Sequence, residues 1–425
     1  MHIAHTPTFF FRCLLVSFGL AFPAVGAFAQ DDALSLESAP AEKVDATTGN
    51  TKMFVEASAG NSSQRYQSGS VDTRRAAFDL MYSGNVGTGL RAVLSNRLDV
   101  THPATAGMDA TVNSLREAYL TWQPDGGNTI FDLGRINLRN GPAYGYNPTD
   151  FFRDGSLRLL TSADPFALRQ NRMGSVMLRA QQLWSRGSLS AAYSPKLADG
   201  PSSAGMNLDF GATNNRDRAQ VTLGTQFSQR FNSQVLIYKE VGLGPTLGAN
   251  MTALLSDAAT AHVEWSRGAE PDLLSRALTV PVAAVTRNRF VGGLTYTTST
   301  KTSITAEYQY NGFALNQARW GALSPAPQAQ LGYLRKALSL QELASRDAYL
   351  IYVTQKGLWL KDLDLAAYLL VNPADSSKLG WLELRHHWSK FDLTMQLQQN
   401  IGSPGSQYGV LPDKRLVQVL GNYYF

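Results

Sequence analysis

The sequence predicts an all-β protein, a transmembrane antiparallel up-and-down β-barrel of about eighteen strands. Apolar and polar residues alternate with period 2 in segments of about ten residues, as expected of a sheet with two unlike faces. Beyond residue 29, no stretch has the ~20 consecutive apolar residues that a membrane helix requires. A chain that is mildly polar on average spans a membrane only if alternate residues face lipid.

Residues 1–29 are predicted to be a secretory signal peptide. Arg12 is the only lysine or arginine in the segment, an apolar run follows it, and Ala27-Phe28-Ala29 forms a small-x-small cleavage site. A transmembrane anchor is less favoured, because glycine and proline interrupt the run and no basic stop-transfer cluster follows. Residues 30–50 are polar and acidic, which predicts a flexible periplasmic segment before a barrel over 51–425.

The cysteine count and the charge exclude several classes of function. Cys13 is the only cysteine and leaves with the signal peptide, so no disulfide, thiolate metal site or cysteine nucleophile is expected. Loss of Arg12 lowers the formal net charge from +5 to +4, which is too weak to indicate a nucleic-acid partner. We predict no metal and no cofactor.

The alternation divides residues 51–425 into eighteen strands with short periplasmic turns and long extracellular loops. An even number places both ends of the barrel on the periplasmic side. The least certain pair is 233–242 and 247–256, without which sixteen strands remain. The predicted strands are 51–60, 71–82, 87–100, 112–123, 129–139, 173–184, 188–195, 217–228, 233–242, 247–256, 259–267, 287–297, 302–312, 347–356, 362–371, 378–388, 391–399 and 414–425.

Turn chemistry and aromatic residues support this division. The short connections are rich in glycine and asparagine, which supply the positive φ of tight hairpins. Aromatic residues gather beside these turns, as in the girdle at a membrane interface. They are Tyr82, Trp122, Trp184, Phe227, Phe231, Tyr296, Trp388 and Phe391.

Two predicted loops of about thirty-three residues, 140–172 and 313–346, exceed the usual length of connecting loops. The first alternates aromatics and prolines with arginines, which favours a packed segment folded into the lumen as a constriction loop. The second contains a candidate amphipathic helix near 328–345, which predicts a lid or an internal plug.

Arginines concentrate around the first loop. Arg135, Asn137 and Arg139 alternate with Ile136 and Leu138, so they are predicted to face the lumen. Guanidinium groups attract anions and bind carboxylate or phosphate in bidentate fashion. The alternative is that they pair with nearby acids to brace the wall, and both roles stay open. The candidate solute-selecting residues are Arg135, Arg139, Arg153, Arg158, Arg169, Arg172, Arg179, Glu117, Asn137 and Tyr146, and the candidate bracing acids are Glu117, Asp150, Asp154 and Asp164.

The last strand places Val417, Val419, Tyr423 and Phe425 on one face, with polar residues opposite. This ending resembles the C-terminal strand of Gram-negative outer-membrane proteins, whose terminal phenylalanine is read by the barrel-assembly machinery. The resemblance implies an outer-membrane location, with Tyr423 and Phe425 as the assembly signal. It also implies outer-membrane lipid, lipopolysaccharide and the assembly machinery as partners.

A second resemblance covers roughly residues 112–155. The run Arg116-Glu-Ala-Tyr-Leu120, the pair Gly134-Arg135 and the pair Asn147-Pro148 resemble porin-like barrels in which a similar strand precedes a "GR" strand and a loop with Asn-Pro. The strand number and the arginines are also similar to those of eighteen-stranded substrate-specific porins and the alginate-export barrel. The resemblance implies a porin-like channel, as a monomer or a trimer, and does not fix a substrate. Together with the arginines, it leads us to expect a channel for small anionic solutes. The alternatives are an export pore for an anionic polysaccharide and a non-transporting barrel with a binding or lipid-modifying role.

Catalysis is the remaining class to weigh. His262 with Glu264, and Glu383 with Arg385 and His387, each share one face of a strand. Such groups can serve acid–base chemistry, but they are more typical of lumen hydrogen-bond networks. No Gly-x-Ser-x-Gly or His-Glu-x-x-His motif is present. A calcium site in an outer loop at Asp199, Asp209 and Asp217 matches no known calcium-loop spacing. We therefore predict that the protein is not an enzyme.

Overall fold

The computed structural model describes residues 50–105, 107–124, 127–279, 283–323 and 325–425, and these form one closed antiparallel barrel. Each strand pairs with its sequence neighbours, and β1 pairs with β18 to close the ring. The strands are β1 Asn50–Gln64, β2 Ser70–Gly87, β3 Leu90–His102, β4 Thr111–Trp122, β5 Thr129–Ile136, β6 Ser175–Trp184, β7 Gly187–Ser194, β8 Arg218–Ser228, β9 Phe231–Glu240, β10 Thr246–Ser256, β11 Ala259–Glu270, β12 Val285–Thr297, β13 Thr302–Asn311, β14 Asp347–Gln355, β15 Leu363–Val371, β16 Lys378–His387, β17 Phe391–Ile401 and β18 Asp413–Tyr424.

Side chains alternate between the two faces of the wall, as the sequence predicts. In β6, Leu178 is 53% exposed on the outside, whereas Arg179 is 5% exposed on the inside. In β18, Val419 and Tyr423 are exposed, and Leu420 and Asn422 are buried. The result is an apolar outer surface around a polar interior, the arrangement that a barrel needs in a bilayer.

The predicted strand number of eighteen is confirmed. The two least certain strands are both present as β9 and β10, which pair with each other and with their outer neighbours. The signal peptide and nearly all of the predicted flexible segment 30–50 lie outside the described residues.

Several strand ends differ from the predicted ones by a few residues, and the difference in β5 bears on the lumen. β5 ends at Ile136, not at residue 139, because the chain turns into the lumen there. Ile136 and Leu138, which strand alternation would place against lipid, are instead buried with Phe152 and Met177 inside the barrel. The loop that follows therefore begins three residues earlier than alternation alone indicates.

A β-bulge in β4 changes which side chains reach the lumen. The pairing passes from Ser95–Glu117 to Asn96–Leu115, so Arg116 has no partner residue in β3. The bulge turns two consecutive charged residues inward. Arg116 donates to Asp79 and Asn171, while Glu117 accepts from the backbone of Asn137.

The two ends of the barrel differ. One end, here the short-turn end, carries the tight hairpins and both chain ends of the barrel, and the other, the long-loop end, carries loops with five helices in the described residues. None of these helices is long and apolar enough to span a membrane. They are α1 Pro165–Gln170, α2 Phe210–Thr213, α3 Leu273–Leu278, α4 Gln317–Leu323 and α5 Pro327–Ser339.

Helices α3, α4 and α5 form a small apolar core at the long-loop end. Leu273, Trp320, Tyr333 and Ala337 pack there with Val410 of the loop before β18. The amphipathic helix predicted near 328–345 corresponds to α5, which begins one residue earlier and ends six residues earlier. Whether it acts as a lid or a plug stays a prediction.

Replacing Leu178 by arginine tests the position of the wall in the bilayer. Leu178 lies midway along β6 on the outside, so the charge is expected to lower the free energy of unfolding by about 2–4 kcal/mol in lipid vesicles. Leu189→Arg is the matched control, because Leu189 is also exposed, at 45%, but lies near the short turn 185–186. Its expected cost is about 0–1 kcal/mol. Equal costs in denaturant titrations would contradict this placement.

Candidate functional site

Loop 137–174 crosses the lumen. It leaves the wall at β5, and its polar groups contact side chains on β10, β11, β13 and β14. In a ring of eighteen strands, β5 and β14 lie on opposite sides. The predicted folded-in position of this loop is therefore the observed one.

Two buried glutamates of the far wall hold the crossing segment. Glu264 of β11 accepts hydrogen bonds from the Ala143 backbone N–H at 2.7 Å and from Asn147 Nδ2 at 2.9 Å. Glu307 of β13 accepts from the backbone N–H of Tyr144 at 2.6 Å and of Gly145 at 3.1 Å. Buried backbone N–H groups must find acceptors, and a carboxylate is a strong one.

Two glycines allow the loop to approach the wall this closely. Gly141 has φ +88°, and a Cβ on it would lie 2.2 Å from Glu264 Oε2. A Cβ on Gly145 would lie 2.4 Å from Gln309 Nε2. A side chain at either position would displace the loop from its anchoring carboxylates.

Aromatic side chains attach the second half of the loop to the same side of the barrel. Tyr368 of β15 donates its hydroxyl to the Ala163 carbonyl at 3.1 Å, and Tyr352 of β14 donates to Asp164 Oδ1 at 3.4 Å. The rings of Tyr144 and Phe166 meet edge to face at 4.8 Å. Both halves of the loop thus contact the wall opposite β5.

Asp150 joins the first half of loop 137–174 to its second half through two ion pairs. It lies 2.5 Å from Arg172 Nη1 and 3.5 Å from Arg169 Nη2. Burial acts to raise the pKa of Asp150, but the two guanidinium groups outweigh burial, and the net pKa lies below its usual value.

Arg153 connects the crossing loop to loop 312–346. Its Nη2 lies 2.5 Å from Glu342 Oε1, and the hydroxyl of Tyr146 donates to Glu342 Oε2 at 2.6 Å. Burial acts to raise the pKa of Glu342, but Arg153 and Arg289 outweigh it and lower that pKa to about 2. The carboxylate is therefore charged throughout the physiological range.

The other predicted site residues also contact protein groups. Arg135 donates to the Leu115 carbonyl and Thr213 Oγ1, and Arg158 donates to three backbone carbonyls. Asn137 donates to the Arg169 carbonyl, and Arg179 to Gln181. These are contacts of the bracing kind, and a role in solute selection stays a proposal for each of them.

A second set of charged residues on the wall was not singled out from the sequence. Arg75, Arg97 and Arg116 form ion pairs with Glu56, Asp79 and Asp99, at distances that include 2.5 Å for Arg75–Glu56 and 2.8 Å for Arg97–Glu56. Alternation in β2 and β3 does place Arg75 and Arg97 inward. Alternation in β4 did not predict an inward Arg116, because the bulge there changes which residues of the strand face the lumen.

Two cavities flank the crossing loop. The short-turn cavity, about 420 Å³, lies between loop 137–174 and strands β1–β4 and β16–β18. The long-loop cavity, about 260 Å³, lies between the same loop and the outer ends of β9–β12. Charged side chains that line the short-turn cavity are Glu56, Asp79, Arg97, Arg116, Glu117, Arg139, Asp164, Glu383 and Arg385.

The candidate catalytic and calcium residues have structural contacts. His262 Nε2 lies 2.9 Å from Glu307 Oε1, and Arg385 lies 2.9 Å from Glu383. Asp199 pairs with Lys196, Asp209 accepts from the Ser202 backbone, and Asp217 accepts from the Lys196 backbone. Across the described ranges, no group of three or more His, Cys, Asp or Glu side chains is placed to hold a metal ion.

Comparison with known proteins defines the fold. No protein-family model matches the chain, and no curated protein matches its sequence. OccAB1 of Acinetobacter baumannii superposes with a TM-score of 0.59 at 9% identity, over 90% of this chain and 99% of that one. A BenF-like porin from Pseudomonas fluorescens Pf-5 superposes with a TM-score of 0.55 at 8% identity, over 89% of this chain and 98% of that one. OccK5 (OpdH) of Pseudomonas aeruginosa superposes with a TM-score of 0.54 at 10% identity, over 89% of this chain and 98% of that one.

The chain therefore has the eighteen-stranded barrel fold of outer-membrane porins. The porin-like resemblance noted in the sequence is confirmed at the level of the fold, and the apolar outer surface is that of a membrane-spanning barrel.

Replacing Gly141 by alanine tests how the loop is held. The Cβ would strain a left-handed backbone and collide with Glu264, which is expected to cost about 1–3 kcal/mol. Amide hydrogen exchange at residues 143–147 should then accelerate by roughly 5- to 150-fold. Gly332→Ala in α5 is the control, because no atom lies within 4 Å of its Cβ position. Unchanged protection in Gly141→Ala would show that the glutamates do not anchor the loop.

Proposed function

We propose that this protein is an outer-membrane channel through which small solutes diffuse, with a preference for anions. The observation that carries the proposal is the crossing of the lumen by loop 137–174, anchored on the opposite wall by Glu264 and Glu307. A loop held across a closed, water-lined barrel narrows the passage and brings solutes against defined side chains.

The dimensions favour small solutes over a polymer. The cavities on the two sides of the loop have volumes of about 420 and 260 Å³, the scale of a single small molecule. An export pore for a polysaccharide needs a continuous track, and a loop bonded to both sides of the lumen favours short solutes instead.

These arginines divide into two groups by their burial. Arg135, Arg153, Arg158 and Arg172 are buried in contacts with carbonyls or carboxylates, and we assign them to bracing. Arg139 and Arg385 line the short-turn cavity and are only partly buried, although Arg385 also pairs with Glu383. Burial lowers the pKa of Arg139, which Glu117 partly offsets, and a guanidinium stays charged at neutral pH. We assign anion preference to this second group.

Ion selectivity in planar bilayers tests the assignment. Arg139→Gln should reduce the anion-to-cation permeability ratio by roughly two- to fivefold, because one partly screened charge contributes about 0.5–1 kcal/mol. Arg135→Gln is the matched variant, and it should leave the ratio unchanged while it lowers thermal stability. Steady steps that prefer cations in the unmodified protein would remove the anion claim, and a silent bilayer would remove the channel.

The pH dependence of selectivity gives a second test. Burial raises the pKa of Asp164 above its usual value, although helix N–H groups of α1 act against this shift. As the pH falls through this raised pKa, the short-turn cavity loses a negative charge. The anion preference should therefore increase on mild acidification, and Asp164→Asn should have the higher preference already at neutral pH. A preference that declines on acidification would contradict the role of Asp164.

A further inference from the structure

Three neighbouring turns at the short-turn end differ from the rest of that rim. They are 298–301, 356–362 and 388–390, here called the basic rim, and they join the consecutive strand pairs from β12 to β17. The basic rim carries Lys301, Lys356, Lys361 and Lys390 against the single acid Asp362, a net charge of +3. The other five turns at this end sum to zero in formal charge. All four lysines are exposed.

The middle turn of the basic rim presents a tryptophan in an unusual conformation. Residues 356–362 form the longest connection at this end, and Trp359 within it is 86% exposed with φ +59°. A left-handed backbone is unfavourable for a bulky residue and persists only where neighbouring contacts impose it. Here the Leu358 N–H donates to the Leu363 carbonyl at 2.6 Å, and the Gly357 N–H donates to Asp364 at 3.0 Å.

The three turns are bonded into one surface. Gln355 Nε2 donates to the Thr300 carbonyl at 2.8 Å, which joins the middle turn to the first. His387 lies 3.5 Å from Asp364 and 2.9 Å from Asp392, which joins it to the third. These two acids are engaged within the wall, so the positive charge of the lysines is left on the surface of the rim.

We propose that the basic rim binds the headgroups of anionic phospholipids in the adjoining leaflet, with Trp359 placed at the membrane interface. The surface continues the outer face of the barrel, where Tyr349 and Ile351 of β14 and Trp388 and Phe391 beside the third turn are exposed. Tryptophan favours the headgroup level of a bilayer, and clustered lysines attract anionic lipid. Continuity with the lipid-facing surface favours lipid over a soluble acidic protein as the occupant.

Lipid contact at Trp359 can be measured on the full chain in nanodiscs. The difference in emission between the unmodified protein and Trp359→Phe isolates this one indole. In discs that contain phosphatidylglycerol, the isolated signal should be protected from acrylamide and quenched by lipid that is spin-labelled at the headgroup. In discs of phosphatidylcholine alone, protection should be weaker. Full acrylamide access in both discs would overturn the proposal, as would equal protection in both.

The lysines are tested by titration of labelled phosphatidylglycerol. The pair Lys356→Gln and Lys361→Gln should weaken binding by roughly 25-fold at low salt, from about fivefold for each lysine near the surface. The control pair Lys196→Gln and Lys239→Gln removes the same charge at the long-loop end and should leave binding unchanged. An equal loss in both pairs would show only a general charge effect and would overturn the assignment to the basic rim. Conductance is read separately, so this result does not depend on the channel proposal.

Discussion

Two wall carboxylates, Glu264 and Glu307, make the interior of this barrel possible. A loop that enters the lumen carries backbone N–H groups that lose water, and each one left without an acceptor costs free energy comparable to a lost hydrogen bond. The carboxylates meet the N–H groups of residues 143–145 on the wall opposite the point of entry. The loop is thereby fixed at both sides of the barrel, and the two cavities on either side of it are defined by its position.

The charges of the lumen serve this architecture first. Arg75, Arg97 and Arg116 are matched by three acids along the wall, and Arg153 and Arg172 are matched by Glu342 and Asp150 in the loops. Buried charges in a low-dielectric site must be paired, because removing one partner leaves the other uncompensated. We assign the preference for a solute charge to arginines that line the short-turn cavity and are only partly buried, which is why Arg139 and Arg385 are distinguished from the buried Arg135 and Arg153.

The outside of the barrel follows a different constraint. Its apolar strand faces are matched to hydrocarbon, and its rims to the headgroup layers on either side. The short-turn rim is uneven, with positive charge and an exposed tryptophan gathered in the sector from β12 to β17. In the role we propose, this sector contacts anionic lipid at a place separate from the proposed path of a solute.

The sequence by itself determined the barrel, because period-2 alternation is a local pattern. Within each strand, the polar residues of that pattern identify the face that points into the lumen. It placed β9 and β10, the inward phase of Arg135 and Arg179, and the folding of the first long loop into the lumen, since its aromatics and prolines need a packed environment. Tertiary structure alone decided where the chain leaves β5 and that Arg116 turns inward at a bulge. It also decided that Glu264 and Glu307 receive the loop, because those hydrogen bonds join residues more than a hundred positions apart. No local pattern predicts such a distant partner. The arginines that alternation places in the lumen could therefore be separated into buried and partly exposed groups only by the tertiary structure.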